Sequence, residues 1–393
     1  TPETMRISPQ ESDRLIIFLL LLLFIVLSFN FSYLITYTTY TNDEFGPNQI
    51  RPDSGSRTPY LLKKDLNNSY VTKSVSEVDM GKAPVANILR NAGIVIDEEL
   101  LQELPSWSDI VSMYGNEPKI LGLDTCSSYR SLISVDDALI GPAGMFNTGT
   151  NLLSDLLRIN CHIPNKTISK KNHYGCRTGM LYQVPWGKHN PVSWRTKNVA
   201  LAHSDGITQT DVLPVVTIKD PYSWMISMCR HPYAVKWKKS RSVCPHLVPR
   251  EGESIQKTSL GARVEYKQQN VTHYESLVHI WNEWYGDYKA FDFPRLIIRF
   301  EDLLFHLEKV MSQVCYCVGG KIKDKSGKIL METESAKGTK GAHNGANGLL
   351  SAILRYGNTT KRLEGMTKTD LEYTKNILRN DLMEDFQYTY IDP

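Results

Sequence analysis

A glycine-rich turn is the first feature of this sequence that could do chemistry. The segment 140–157 reads IGPAGMFNTGTNLLSDLL, and Thr148-Gly149-Thr150-Asn151 comes just before leucines at helical spacing. Backbone N–H groups at such a turn form an anion site, because they point outward from a helix N-terminus. Where a nucleotide triphosphatase places Lys-Ser or Lys-Thr, this chain has Thr150-Asn151. An ordinary strand-to-helix turn with capping side chains is the alternative interpretation.

A second chemically suggestive stretch follows another apolar run. In VLPVVTIKDPYSWMISMCRHPY, Lys219-Asp220-Pro221 comes after the run 212–218, and Ser227 lies eight residues after Lys219. A cation at the carboxyl end of a strand and a hydroxyl from the next helix can hold one phosphate together. A charged strand end before a proline-started helix is also common in α/β proteins.

Between these stretches lies YQVPWGKHNPVSWR, residues 182–195, which contains a candidate base. Histidine is the side chain best able to take a proton from a hydroxyl near neutral pH. His189 lies in this proline-containing segment beside Lys188, so the pair could supply a base and a positive charge. A histidine–lysine pair on a surface loop is the alternative.

The elements that would position these residues alternate between strand and helix patterns. Short apolar runs predict strands at 138–141, 212–218 and 295–300, and helical patterns occur at 150–159, 222–230, 273–290 and 302–316. This alternation predicts an α/β fold with a mostly parallel sheet flanked by helices on both faces. Ligands of such sheets bind at the carboxyl ends of the strands. In the helix 273–290, we expect Trp281 and Trp284 to pack in the core, with an acceptor-sugar platform as the alternative.

Composition and cysteine spacing limit the class of protein. The net charge of +3 over 393 residues gives no electrostatic support for a nucleic-acid partner. The seven cysteines contain no CxxC pair, so the sequence predicts no zinc site. In an oxidising compartment some of them would pair, and the odd count leaves at least one outside such pairs. The pairing itself stays open.

The N-terminal apolar run predicts a membrane anchor. Residues 15–35, LIIFLLLLLFIVLSFNFSYLI, carry no charge, and about 20 apolar residues suffice to cross a bilayer. A cleaved signal peptide is the alternative, but bulky aromatic residues and the lack of a small-residue cleavage site favour an uncleaved anchor. Basic residues before the run orient residues 1–14 toward the cytosol. We therefore expect a single-pass type II protein of the Golgi or another secretory-pathway membrane.

The remaining chain would then lie in the lumen. Residues 36–80 are rich in Thr, Asn, Ser, Asp and Pro and predict a flexible stem, which leaves 81–393 as the folded luminal domain. Glycosylation sequons agree with this topology and occur at Asn67, Asn165, Asn270 and Asn358.

The ordered pair of motifs resembles the P-loop sulfotransferases, which use 3′-phosphoadenylyl sulfate (PAPS) as their sulfuryl donor. That family has a (K/R)-x-G-T-(T/N) turn and a later strand that ends in R-D-P, with a serine eight residues after the arginine. The run 148–151 matches the first motif, and the run 219–221 with Ser227 matches the second. IIRFEDLL and MEDFQY are similar to later parts of the family, so the resemblance covers roughly residues 120–390.

The resemblance implies a role for each of these residues. The turn 147–151 would bind the 5′-phosphosulfate of PAPS, and Lys219 and Ser227 would bind its 3′-phosphate. The stretch AKGTKGAH is similar to the family's R-K-G loop over the 3′-phosphate, which adds Lys337 and Gly338 to the site. Sulfuryl transfer from PAPS needs no metal, so a turn without magnesium-holding residues is expected.

The sequence departs from the family at Asn147, because the family usually has Lys or Arg there, near the bridging oxygen. An amide brings no charge, so stabilisation of the leaving group must come partly from elsewhere. Cytosolic members carry a K-x-H segment between the two motifs, whose lysine aids the leaving group and whose histidine is the base. The resemblance implies these roles for Lys188 and His189, which are adjacent here.

The family also leaves room for other bases. Golgi members often use a glutamate, but no glutamate lies between residues 117 and 251 of this chain. This absence favours His189, with His173 and His203 as substitutes.

The sequence therefore predicts a sulfotransferase that moves a sulfuryl group from PAPS to a hydroxyl acceptor, which we expect to be a glycan. Two other functions stay open. A P-loop kinase-like phosphotransferase is disfavoured because the Walker lysine and a magnesium-binding set are lacking. A non-catalytic nucleotide-binding or adhesion protein that kept the fold is favoured by Asn147.

Overall fold

The computed structural model describes residues 77–164, 178–197, 207–240, 242–253, 260–266, 270–334 and 348–393. The predicted tail, the apolar run 15–35 and the stem up to residue 76 lie outside these ranges. The first described helix begins at Glu77, inside the range predicted as stem. Among the residues that the structure describes, no helix has the length and apolar character of a membrane span.

Strands and helices alternate over residues 120–236 of the described chain, whereas helices alone occur at 77–114 and 348–385 and three successive strands lie within 235–274. The strands, in chain order, are β1 (Ile120–Leu121), β2 (Leu139–Gly144), β3 (Cys161–His162), β4 (Val212–Ile218), β5 (Val235–Lys236), β6 (Ala262–Glu265), β7 (Val271–Tyr274), β8 (Leu296–Arg299) and β9 (Lys321–Ile322). The α-helices, in chain order, are α1 (Glu77–Asn91), α2 (Glu98–Glu103), α3 (Trp107–Tyr114), α4 (Thr125–Leu132), α5 (Thr150–Asn160), α6 (Trp194–Lys197), α7 (Pro221–Arg230), α8 (Leu277–Ala290), α9 (Asp302–Phe305), α10 (Leu307–Cys317), α11 (Gly348–Tyr356), α12 (Lys368–Ile377) and α13 (Asn380–Asp385).

The central sheet has the strand order β1-β8-β4-β2. Strand β4 pairs in parallel with both β2 and β8, whereas the short β1 runs antiparallel to β8. Gly144 pairs with Thr217, and Ile218 pairs with Arg299. The carboxyl ends of β2, β4 and β8 therefore lie side by side at one edge of the sheet.

Helices pack on both faces of this sheet, as the sequence predicts. Successive side chains of a strand point to opposite faces, and β4 is buried along its whole length. Val216 belongs to a core cluster that includes Trp281 of α8, whereas Val215 belongs to a second cluster that includes Leu153 of α5. The protein is therefore a mixed α/β protein with a parallel-containing sheet between layers of helices.

Two predicted helices differ from those observed. The pattern at 273–290 predicts a helix from residue 273, but His273 lies in β7, where it pairs with Arg263 of β6. Helix α8 begins only at Leu277, because the Ser276 side chain caps it by accepting a hydrogen bond from the N–H of Val278. The pattern at 302–316 likewise divides into α9 and α10 at His306.

The structure shows three disulfide bonds, whose pairing could not be deduced from the sequence. Cys126 pairs with Cys317 and Cys161 with Cys315, so both bonds end in the last turn of α10. The third bond joins Cys229, in the last turn of α7, to Cys244. Cys176 lies outside the described residues.

Candidate functional site

The glycine turn lies between the buried strand β2 and helix α5. Gly149 has φ of +81°, and a Cβ built on it would lie 2.5 Å from Cδ2 of Phe300, so both the backbone and the packing require glycine. The Thr148 hydroxyl is 3.0 Å from that of Thr217 at the end of β4. Within the described residues, no side chain caps the N-terminus of α5. The N–H groups of its first turn therefore point outward from an uncapped helix N-terminus, which is the arrangement that binds anions in other proteins.

Asn147 holds this turn against the end of α7. Its backbone φ is +63°, and its Nδ2 donates to the carbonyl oxygens of His231 at 2.7 Å and Ser227 at 3.3 Å. Nδ2 also lies 3.0 Å from Sδ of Met228. The Asn147 amide therefore positions the turn, and any positive charge near the turn must come from another residue.

The structure brings Lys219 and Ser227 together, as their spacing predicts. Lys219 follows β4 and is 1% exposed. Its Nζ lies 3.1 Å from Ser227 Oγ and 3.5 Å from the carbonyl oxygen of Asn147. Burial lowers the pKa of Lys219. The two predicted motifs therefore meet at the same edge of the sheet.

Two further residues complete this group, which we call the Lys219 cluster: Lys219, Ser227, Arg230 and Tyr356. Arg230 Nη2 donates to Ser227 Oγ at 3.1 Å and to the Tyr356 hydroxyl at 3.4 Å. Lys219 Nζ lies 3.8 Å from the centre of the Tyr356 ring. Burial alone would raise the pKa of Tyr356, but the charges of Lys219 and Arg230 lower it to about 7. The positive charges of the Lys219 cluster therefore stabilise a negatively charged group placed next to them.

Sequence reasoning missed both of these residues. Arg230 could have been identified from the sequence, because a residue three positions after Ser227 lies on the same face of a helix. Tyr356 could not, because it belongs to α11, which lies far along the chain from Ser227. Lys337 and Gly338, which the resemblance adds to this site, lie outside the described residues.

His189 lies at the end of β2. The N–H of Gly144 donates to the carbonyl oxygen of Lys188 at 2.8 Å, and His189 Nδ1 lies 2.7 Å from the carbonyl oxygen of Gly144. A carbonyl oxygen only accepts, so Nδ1 carries the proton and Nε2 is the acceptor nitrogen of the neutral ring. The Phe146 ring packs on the imidazole at 4.6 Å, and Trp284 Nε1 donates to the His189 carbonyl. These contacts fix the orientation of the ring.

Lys188 contacts the beginning of α5. Its Nζ donates to Asn151 Oδ1 at 2.6 Å and to the Tyr182 hydroxyl at 3.2 Å, and it lies over the Tyr182 ring. The positive charge of Lys188 is therefore held beside Asn151, in the first turn of α5. This is the N-terminal end of the helix, which attracts anions. His173 and His203, the substitute bases, lie outside the described residues.

Buried aromatic side chains hold the backbone of both motifs. Trp224 Nε1 donates to the carbonyl oxygen of Phe146 at 2.9 Å, and Trp281 Nε1 donates to that of Lys219 at 2.9 Å. The hydroxyl of Tyr285 donates to the carbonyl of Thr217. Trp281 and Trp284 are buried, as the core interpretation of α8 predicts.

A buried carboxylate pair lies behind Lys219. Asp220 caps α7 by accepting from the N–H of Ser223 and forms an ion pair with Arg362 at 3.2 Å. The N–H of Asp220 donates to Glu301, which also accepts from the Tyr388 hydroxyl. Burial, together with the charge of Asp220, raises the pKa of Glu301 to about 7. This network joins the carboxyl ends of β4 and β8 to the C-terminal segment.

In the described parts of the chain, no group of three or more His, Cys, Asp or Glu residues could hold a metal ion. Comparison of the chain with protein-family models, with curated proteins and with solved structures found no match.

Proposed function

We propose that this chain is a PAPS-dependent sulfotransferase with a P-loop-type fold, which transfers a sulfuryl group to a hydroxyl of a glycan. The observation that carries this proposal is the Lys219 cluster. It gathers two cations and two hydroxyls at the sheet edge that also holds the glycine turn.

Two neighbouring anion sites suit a nucleotide that carries phosphates on both its 5′ and 3′ oxygens. Lys219 and Arg230 would bind the 3′-phosphate through charge-assisted hydrogen bonds. The Ser227 hydroxyl, which donates to the carbonyl oxygen of Ser223 at 2.8 Å, would turn to donate to the phosphate. The first-turn N–H groups of α5 would receive the 5′-phosphosulfate.

In the reaction, the acceptor oxygen attacks sulfur while the bond from sulfur to the 5′-phosphate oxygen breaks, which releases adenosine 3′,5′-bisphosphate (PAP). His189 Nε2 would take the proton of the acceptor hydroxyl, because Nδ1 already donates to Gly144. Lys188 would offset the charge that develops on the leaving phosphate, since it lies at the beginning of α5 and the Asn147 amide is bound to α7. This chemistry requires no metal.

The chain would work on the luminal side of a secretory-pathway membrane, as a single-pass type II protein anchored by residues 15–35. The apolar composition of that segment supports the anchor. The three disulfides support an oxidising compartment. The sequons at Asn270 and Asn358 support exposure to the glycosylation machinery.

Calorimetric titration and mass spectrometry test the proposal. The purified full chain should bind PAP more tightly than 5′-AMP, which lacks the 3′-phosphate, and it should add a sulfate to a glycan from PAPS in the presence of EDTA. Phosphate transfer from ATP with magnesium would support the kinase alternative. Binding of PAP without turnover on any acceptor would support the non-catalytic alternative.

A further inference from the structure

The hydroxyl of Tyr356, the buried last residue of α11, lies among groups that donate hydrogen bonds. Arg230 Nη2 donates to it at 3.4 Å, and Ser227 Oγ lies 3.4 Å from it. Ser227 Oγ already accepts from Lys219 Nζ and Arg230 Nη2, both at 3.1 Å. It gives its own proton to the carbonyl oxygen of Ser223 at 2.8 Å. Because a hydroxyl oxygen has two acceptor lone pairs, Ser227 has none left for the proton of Tyr356.

Two positive charges also lie against this phenol. Lys219 Nζ lies over the Tyr356 ring, and the Arg230 guanidinium contacts the phenol oxygen. These charges favour the phenolate over the phenol and account for the lowered pKa of Tyr356. The other ionisable groups nearby act on the two cations or contact the backbone of Tyr356, and they are Glu301, Arg355, Glu364 and Tyr114. The Lys219 cluster therefore contains an acid whose anion is stabilised by the cations of the same cluster.

We infer that Tyr356 is a further binding residue for the 3′-phosphate, and that its phenolate takes up a proton from the solvent when this phosphate binds. The restored hydroxyl then donates to a phosphate oxygen. This inference rests on the proposed function. Arg230 Nη2 contacts both Ser227 and Tyr356, so a phosphate oxygen that accepts from Arg230 lies beside the Tyr356 hydroxyl. Because like charges repel, the bound phosphate makes the protonated phenol the favoured form.

Proton uptake makes the affinity for PAP depend on pH. The pKa of Tyr356 is lowered to about 7, and a neighbouring phosphate would raise it again. Above pH 7 the affinity should therefore fall about tenfold for each pH unit, because binding must return the lost proton. The phosphate adds no such dependence there, since its second pKa is about 6. Glu301, whose pKa is raised to about 7, gains its charge in the same range, so a variant at Tyr356 is needed to separate the two groups.

Ultraviolet difference spectroscopy on the purified full chain tests the inference at about pH 8, one unit above the pKa of Tyr356. PAP should remove most of the long-wavelength absorbance of one tyrosinate, where adenine does not absorb, whereas 5′-AMP should not. Calorimetric titration with PAP in two buffers of different ionisation enthalpy should show uptake of a proton. Tyr356→Phe, which keeps the ring, should lose both signals and bind PAP with a weaker pH dependence. Tyr316→Phe, at an exposed position of α10, is the matched control and should keep both signals.

Binding of PAP to the wild-type chain without loss of tyrosinate absorbance overturns the inference, and this measurement needs no variant. An equal loss with 5′-AMP, or in Tyr356→Phe, also overturns it, because the signal then belongs to another part of the ligand or to another tyrosine. Binding of 5′-AMP to Tyr356→Phe shows that the variant is folded. Failure of the wild-type chain to bind PAP overturns the proposed function instead, so the two failures are distinguishable.

Discussion

Arg230 allows a sharp test of the Lys219 cluster. It is an exposed residue in the last turn of α7, and its Nη2 donates to Ser227 and Tyr356. Replacement by alanine should therefore change the free energy of unfolding little. A bound 3′-phosphate, however, would lose a charged hydrogen-bond donor worth about 1.5–3 kcal/mol. Arg230→Ala should then weaken PAP binding by about 10- to 150-fold.

Calorimetric titration of PAP and of 5′-AMP into the wild-type chain and the variant measures this loss. Because 5′-AMP lacks the 3′-phosphate, its affinity should stay nearly the same in Arg230→Ala. Arg230→Lys is the matched control: it keeps the charge without the planar fork and should give an intermediate loss. If Arg230→Ala binds PAP like the wild-type chain, or loses the same factor for 5′-AMP, the cluster does not bind the 3′-phosphate.

Three further predictions concern other parts of the chain. His189→Ala should lower turnover of PAPS by about two to four orders of magnitude in a sulfate-transfer assay and leave PAP affinity unchanged; normal turnover would exclude His189 as the base. The folded-state pKa of Glu301 is raised from 4.5 to about 7, so its contribution to stability is fully present below pH 4.5 and is lost as the pH rises through 7. Urea unfolding should show this decline in the wild-type chain and a flatter profile in Glu301→Gln, and equal profiles would contradict it. Glycosidase treatment should increase the electrophoretic mobility of the wild-type protein produced in secretory cells, and the increase should be smaller for the variant Asn270→Gln. Unchanged mobility of the wild-type protein would argue against a luminal domain.

Much of the central sheet is predictable, because its strands are apolar runs that end at polar or glycine residues. The run 212–218 predicts β4 with the bounds that are observed, since Lys219 and Asp220 end the apolar run. The start of α8 is less predictable. His273 fits a helical pattern, but its strand pairing with Arg263 of β6 is a tertiary contact that local periodicity does not report.

Some residues of the candidate site are likewise predictable from the sequence, and others are not. Lys219 and Ser227 are predictable as a pair, because a strand end and two helical turns bring an eight-residue spacing together. The direction of the Asn147 side chain is not predictable, since it depends on where the carbonyl oxygens at the end of α7 lie. Tyr356 reaches the site only through the packing of α11, so no sequence motif near Ser227 predicts its presence there.

The two disulfides that end in α10 also determine how the chain responds to proteolysis. They close loops with sequence separations of 191 and 154 residues, and the lysine-rich segment 236–239 lies inside both loops and inside that of Cys229–Cys244. A single tryptic cut there would therefore leave two fragments that migrate as one species until they are reduced. One fragment would carry Lys219 and Ser227, and the other would carry Tyr356. Covalent links would thus keep both parts of the site in one particle even after the backbone is nicked.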